Sequence, residues 1–159
     1  MVAQRSGWSS GSRIPPATKR SVLAAVLDAS LGHHGACLAV VARNRRAAFD
    51  ASNAIAQADL WPSDVRARLV PTSRFSDLSR RHRLELVSMD GATVLDHRGR
   101  ILAAGSIVQV PGGSTGGGRL AAARALAQFG CALKVSQDGP ITLFGRNSTG
   151  AVAELLAIA

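Results

Sequence analysis

The chain has 159 residues, 47% of them apolar, and carries a net charge of +9. That length suits one domain, and the apolar share is enough to build a core, which excludes wholesale disorder. No apolar run reaches the roughly 18 residues of a membrane span, and aromatics make up only 4% of the chain, against an aromatic-rich binding surface.

Residues 1–20 are rich in Ser, Gly, Pro and Arg, hold Arg5, Arg13, Lys19 and Arg20 with no acid, and read as a flexible basic tail. Residues 21–159 form the expected domain. The apolar stretch Val22–Leu27 is too short for a signal peptide, runs into Asp28 and lacks a clean cleavage site, so the chain reads as cytoplasmic. A helix is predicted from Ser21, with Ser21 as its cap, Leu23, Val26, Leu27 and Leu31 sharing one face, and Gly32 at its end. Ala36–Ala42 is a continuous apolar run and predicts a strand buried on both faces. Ala47–Leu60 predicts a helix closed by Trp61–Pro62, and Ser73–Arg83 a short polar helix.

Leu84–Ser88 and Ala92–Asp96 read as short strands around Met89–Asp90–Gly91, and Ile101–Val110 as a third, broken at Gly105. The turn at His97–Arg98–Gly99 joins the last two as a hairpin. A glycine-rich loop, Pro111–Gly118, leads into an Ala-rich helix over Arg119–Phe129 that stops at Gly130. Cys131–Ser136 and Ile141–Phe144 predict a second hairpin across Gln137–Pro140, and Ala151–Ile158 a last helix. Strands interleaved with helices and joined in part by hairpins imply an α/β domain with a mixed sheet and helices on both faces.

Three features bear on chemistry. The loop Gly112–Gly118 lets backbone N–H groups approach an anion, the helix start adds unpaired donors, and Arg119 offers a charged fork to a phosphate. The loop lacks the Gly-Lys-Ser/Thr of a Walker motif and the spacing of a dinucleotide fingerprint; a helix cap on a mobile loop explains it equally well. Asp90–Gly91 either makes a tight hairpin turn or presents a carboxylate at a strand end to a metal ion or a sugar hydroxyl. Cys37 and Cys131 sit in apolar runs as small hydrophobes, and His33, His34, His82 and His97 form no ligand pattern.

Met89–Asp90–Gly91–Ala92–Thr93–Val94–Leu95 resembles the Asp-Gly-Ala motif of the diadenylate cyclase domain family, in the version of its DNA-integrity scanning branch. The order of features that follows is also similar: a hairpin, Ile101–Ala104, a small-residue loop and helix, Leu133–Lys134–Val135–Ser136–Gln137, then Ile141–Phe144. The resemblance runs from about Ala36 to Phe144 and is strongest after Leu84. It implies binding of ATP or a related purine nucleotide, with Mg2+ or Mn2+, in a family that condenses two ATP molecules to cyclic di-AMP across two domains that meet face to face. A homo-oligomer is therefore a possible arrangement. By the same resemblance Asp90 is the metal-binding, catalytic carboxylate, Gly91 and Ala92 let the adenosine lie against the backbone, Thr115, Gly116, Gly117, Gly118 and Arg119 lie near the phosphates, and Ser136 edges the pocket.

One departure matters. The family carries Arg-His-Arg at the helix start, where this chain reads Gly117–Gly118–Arg119–Leu120–Ala121 and keeps at most one of the three basic groups. Phosphoryl transfer depends on positioned positive charge, so turnover should suffer far more than binding. The expectation is a degenerate, sensor-like member with little or no cyclase activity. An active cyclase using Arg119 and metal alone is the first alternative. A basic nucleic-acid-binding protein is the second; scarce aromatics and the lack of a recognition motif argue against it.

Overall fold

The computed structural model describes residues 14–56, 59–60, 74–110 and 117–159. Its centre is β1 (Ala36–Val41), whose six residues are all buried. A strand without one polar side chain cannot sit at an edge or face water on either side. It pairs in parallel with β2 (Ala92–Asp96) and antiparallel with β4 (Gly130–Val135). β3 (Ile101–Ser106) closes a hairpin on β2, and β5 (Ile141–Arg146) one on β4. With β6 (Val152–Ile158) the order is β3-β2-β1-β4-β5-β6, a mixed six-stranded sheet.

Helices cover both faces, as the pattern of strands and helices predicts. On one face α1 (Pro16–Leu31) and α3 (Arg80–Val87) pack Val22, Ala25, Val26, Ala29 and Val87 against Leu38, Val40, Leu95, Leu133 and Val135. On the other, α2 (Arg46–Ser52) and α4 (Gly118–Ala127) bring Phe49, Ala123, Leu126 and Ala127 against Cys37, Ala39, Val94, Ala132 and Phe144. The alanines of α4 let its backbone approach the sheet closely, and Phe49 meets Phe129 edge to face at 5.5 Å.

Four local expectations are corrected. α1 begins at Pro16, five residues before Ser21, because a proline at the first helical position is pre-set for the helix. Ser21 lies inside α1, donating to Thr18 O at 2.9 Å. The buried face is Thr18, Ser21, Val22, Ala25, Val26 and Ala29, so Leu23, Leu27 and Leu31 point outward. Leu84–Ser88 is not a strand. Ser79 caps α3 by accepting from His82 N at 3.2 Å, and the Arg81–Glu85 pair at 2.8 Å supports its solvent face. The helix expected over Ala47–Leu60 stops at Ser52, where Asn53 turns left-handed at φ 51°. Ala151–Ile158 is β6, not a helix. Asn147 Oδ1 accepts from Thr149 N and Ala151 N, both at 3.0 Å, and the resulting turn folds the segment back along β5. The flexible tail expected over residues 1–20 falls largely on residues 1–13, outside the described residues, while 16–20 are helical.

Candidate functional site

Parallel pairing of Leu38 with Thr93 brings the starts of β1 and β2 to the same level, so Gly35 and Asp90 stand side by side at one end of the sheet. Asp90 follows α3 and precedes β2, in a helix-to-strand connection. The hairpin-turn explanation of Asp90–Gly91 therefore falls away. The Asp90 side chain is 98% exposed.

Gly91 has φ +103°, and a Cβ there would stand 2.6–2.8 Å from backbone atoms of Gly105 and Ser106 on β3. Its glycine identity is explained by this close approach to β3. Ala92 is fully buried, opposite Ser106, and lies beneath the surface of the site.

Gly117, at φ +94°, precedes α4, and Gly118 is the first residue of the helix. Among the described residues, a Cβ at either would meet nothing within 4 Å. Thr115 and Gly116, with the rest of Pro111–Gly116, lie outside the described residues.

Arg119, in the first turn of α4, lies back across β1. Its guanidinium fills the space where Gly35 lacks a side chain, with Nη1 2.7 Å from the position a Cβ would take. Nη2 stands 3.8 Å from Asp90 Oδ1, a loose pair between groups 33% and 98% exposed. Nε is buried and has no hydrogen-bond partner among the described residues, an uncommon state for a charged donor. Beneath Arg119 lies Cys37, whose thiol is pushed up to about 12 by burial, against the opposing pull of the Arg119 charge.

Ser136 follows β4. Its N–H donates to Pro140 O at 2.9 Å, and its Oγ accepts from Lys134 Nζ. Register pairs Ala36 with Val135 and Cys37 with Lys134. Continuing it one residue sets Gly35, and the guanidinium over it, opposite Ser136. Asp90, Arg119, Ser136 and Lys134 thus form a polar row across the ends of β2, β1 and β4. Lys134 was not singled out from the sequence. Its signal was present: a lone lysine in the strand Gly130–Val135.

No group of three or more His, Cys, Asp or Glu residues stands together among the described residues. Asp90 alone suits an ion such as Mg2+, which takes one or two protein carboxylates and completes its shell with phosphate oxygens and water.

The basic clusters elsewhere are partly neutralised. Arg80 pairs with Asp28 at 2.7 Å, Arg81 with Glu85 at 2.8 Å and Arg46 with Asp50 at 2.8 Å. A groove of about 540 Å³ between α1 and α3, lined by Asp28, Leu31, Gly32, Arg80, Arg81 and Leu84, shares no residue with the polar row. No described helix is long and apolar enough to cross a membrane.

No protein-family model matches the sequence, and no curated protein matches it significantly. Solved structures do match the fold. DacA from Staphylococcus aureus, crystallised as a double cysteine mutant, is similar with TM-score 0.54 and 18% identity over 87% of this chain and 86% of that one. A hypothetical membrane spanning protein from Bacillus cereus is similar with TM-score 0.56 and 16% identity over 94% of this chain and 67% of that one. At such identities the likeness is one of fold: the chain has the α/β architecture of DacA.

Proposed function

We propose that this chain is a purine-nucleotide-binding domain of the diadenylate cyclase type that holds its nucleotide with little or no turnover. One observation carries the reading: Arg119, from the helix that follows the glycine loop, reaches across Gly35 to within 3.8 Å of Asp90, from the Asp-Gly-Ala stretch. Two motifs 29 residues apart in sequence, each readable as a connector alone, meet at one point. The fold shared with DacA, a diadenylate cyclase, supports the same reading.

The chemistry follows from the geometry. An exposed ion pair as loose as Asp90–Arg119 is worth about 0–1 kcal/mol, so a phosphate displaces Asp90 from Arg119 at small cost. Arg119 then donates a charge-assisted hydrogen bond to the phosphate, and the first N–H groups of α4 add to it. The freed Asp90 carboxylate is available to hold Mg2+ or Mn2+ together with phosphate oxygens, and that ion, when bound, neutralises phosphate charge. Gly117 and Gly118 contribute no side-chain charge, and Leu120 and Ala121 are apolar. Turnover is therefore weakened where charge must be stabilised in the transition state. Binding needs one copy of the domain; condensation of the family type needs two, face to face.

The direct experiment incubates the purified protein with ATP and Mn2+ or Mg2+, then analyses bound ligand and product. The reading expects bound ATP and little or no cyclic di-AMP. Turnover matching an intact cyclase would make the chain an active enzyme, and absence of ATP binding would remove the proposal.

A further inference from the structure

The nucleotide reading leaves one group unused. Lys134 is the only cation on β4, and it stands in the polar row with no acid paired to it among the described residues. Register places it on the α4 side of the sheet, opposite Cys37 on β1 and Thr142 on β5. Its amino group reaches forward along the strand to Ser136 Oγ. Arg119 approaches the same place from β1, through the space left by Gly35. Residues directly opposite across an antiparallel pair have Cβ atoms about 4.5–5.5 Å apart. Register therefore sets both cations toward the Ser136 side of the row, and Asp90, 98% exposed, stands at its far end.

We propose that Lys134 and Arg119 form a two-cation clamp for a polyphosphate chain, beside Ser136. Resting on the nucleotide-binding reading, the clamp gives it a ligand class: tri- and diphosphates over monophosphates and nucleosides. Charge absent from the helix start at Gly117 and Gly118 is supplied in part from β4, on the opposite wall. A lysine is suited to this, since its compact ammonium acts as a point charge on a flexible stem. Such a clamp strengthens binding without restoring catalysis, because Lys134 comes from a different element than the missing groups and approaches from another direction. Its hold on Ser136 Oγ keeps the amino group in place before a ligand arrives.

The test is calorimetric titration of the full chain with sodium triphosphate, ATP and adenosine. Lys134→Met keeps the length of the stem and removes the charge; Lys134→Arg keeps a cation. Triphosphate and ATP affinities should each fall about 10- to 100-fold in Lys134→Met, the range for a lost hydrogen bond to a charged group. Adenosine affinity should stay within about twofold, and Lys134→Arg should recover most of the loss. Arg119→Ala combined with Lys134→Met should lose less than the sum of the two single effects, since both hold one chain. Melting curves of each variant confirm the fold. If wild type and Lys134→Met bind triphosphate and ATP equally well, the clamp is overturned and the nucleotide pocket stands, with the lysine merely reaching for solvent along the sheet. If adenosine binds and triphosphate does not, the clamp is likewise overturned. If the wild type binds none of the three, the clamp and the nucleotide reading fall together.

Discussion

Gly91→Ala separates the architecture of the site from its chemistry. At φ +103° an alanine is strained, at about 1–3 kcal/mol. Its methyl would also stand 2.6 Å from Gly105 C, 2.7 Å from Ser106 O and 2.8 Å from Ser106 N. These are backbone atoms of β3, and they cannot withdraw without opening the ladder at Ala92–Ser106. Such overpacking costs a further 1–3 kcal/mol or about that. Together the two give about 2–6 kcal/mol, and at about 2–4 °C per kcal/mol for a domain near this size the melting temperature should drop by about 4–24 °C. Gly118→Ala is the control, because a Cβ there meets nothing within 4 Å among the described residues; it should change stability by less than about 0.5 kcal/mol. Thermal and urea melts followed by circular dichroism report both. A Gly91→Ala protein as stable as Gly118→Ala would show that the close approach of β2 and β3 does not require glycine, and a ligand-facing role would then have to explain it.

Asp96, whose side chain is 2% exposed, anchors the β2–β3 turn. Burial pushes its carboxyl up, but hydrogen bonds from the Arg100 side chain and N–H and from Arg98 N–H outweigh this and hold it below the ordinary carboxylate value. A depressed carboxyl stabilises fully above the unfolded value of about 4 and loses that contribution as pH falls through the folded value. Asp96→Asn should therefore cost about 1–3 kcal/mol at neutral pH and flatten the acid limb of a stability–pH curve; an unchanged limb would refute the assignment. Cys37 and Cys131, both pushed up to about 12 mainly by burial, should resist thiol reagents at neutral pH until the chain unfolds, and rapid labelling of native protein would contradict their placement. Asp90→Asn, at a fully exposed side chain, should melt like wild type while removing the metal dependence of ATP binding, and metal dependence that persists would place the ion elsewhere.

Much of the sheet was legible because its strands carry unambiguous signals. β1 is an unbroken apolar run, and the two hairpins are marked by Gly99 and Gly139 at turns, with φ of +81° and +107°. α1 was legible as a helix but not in its orientation. The leucines Leu23, Leu27 and Leu31, which share one face in the sequence pattern, stay exposed, whereas the sheet takes Val22, Ala25 and Ala29, which allow closer packing. The end of α3 and the strand β6 were misread because short apolar runs do not declare a period. Capping at Ser79 decided the first, and pairing with β5 the second, overriding the helix propensity of Ala and Leu. The two motifs that carry Asp90 and Arg119 were visible in the sequence, each on its own. Lys134 was not, since its position depends on the register between β1 and β4, a long-range property.

On the proposed function, Asp90 and the start of α4 hold a nucleotide through its phosphates. Titrating wild type and Arg119→Ala with ATP and with adenosine, each with and without Mg2+, tests it most directly. Arg119→Ala should weaken ATP by about 1–3 kcal/mol, the cost of a lost hydrogen bond to a charged group, and leave adenosine nearly unchanged. Equal loss for ATP and adenosine would show that Arg119 holds no phosphate, and would contradict the account.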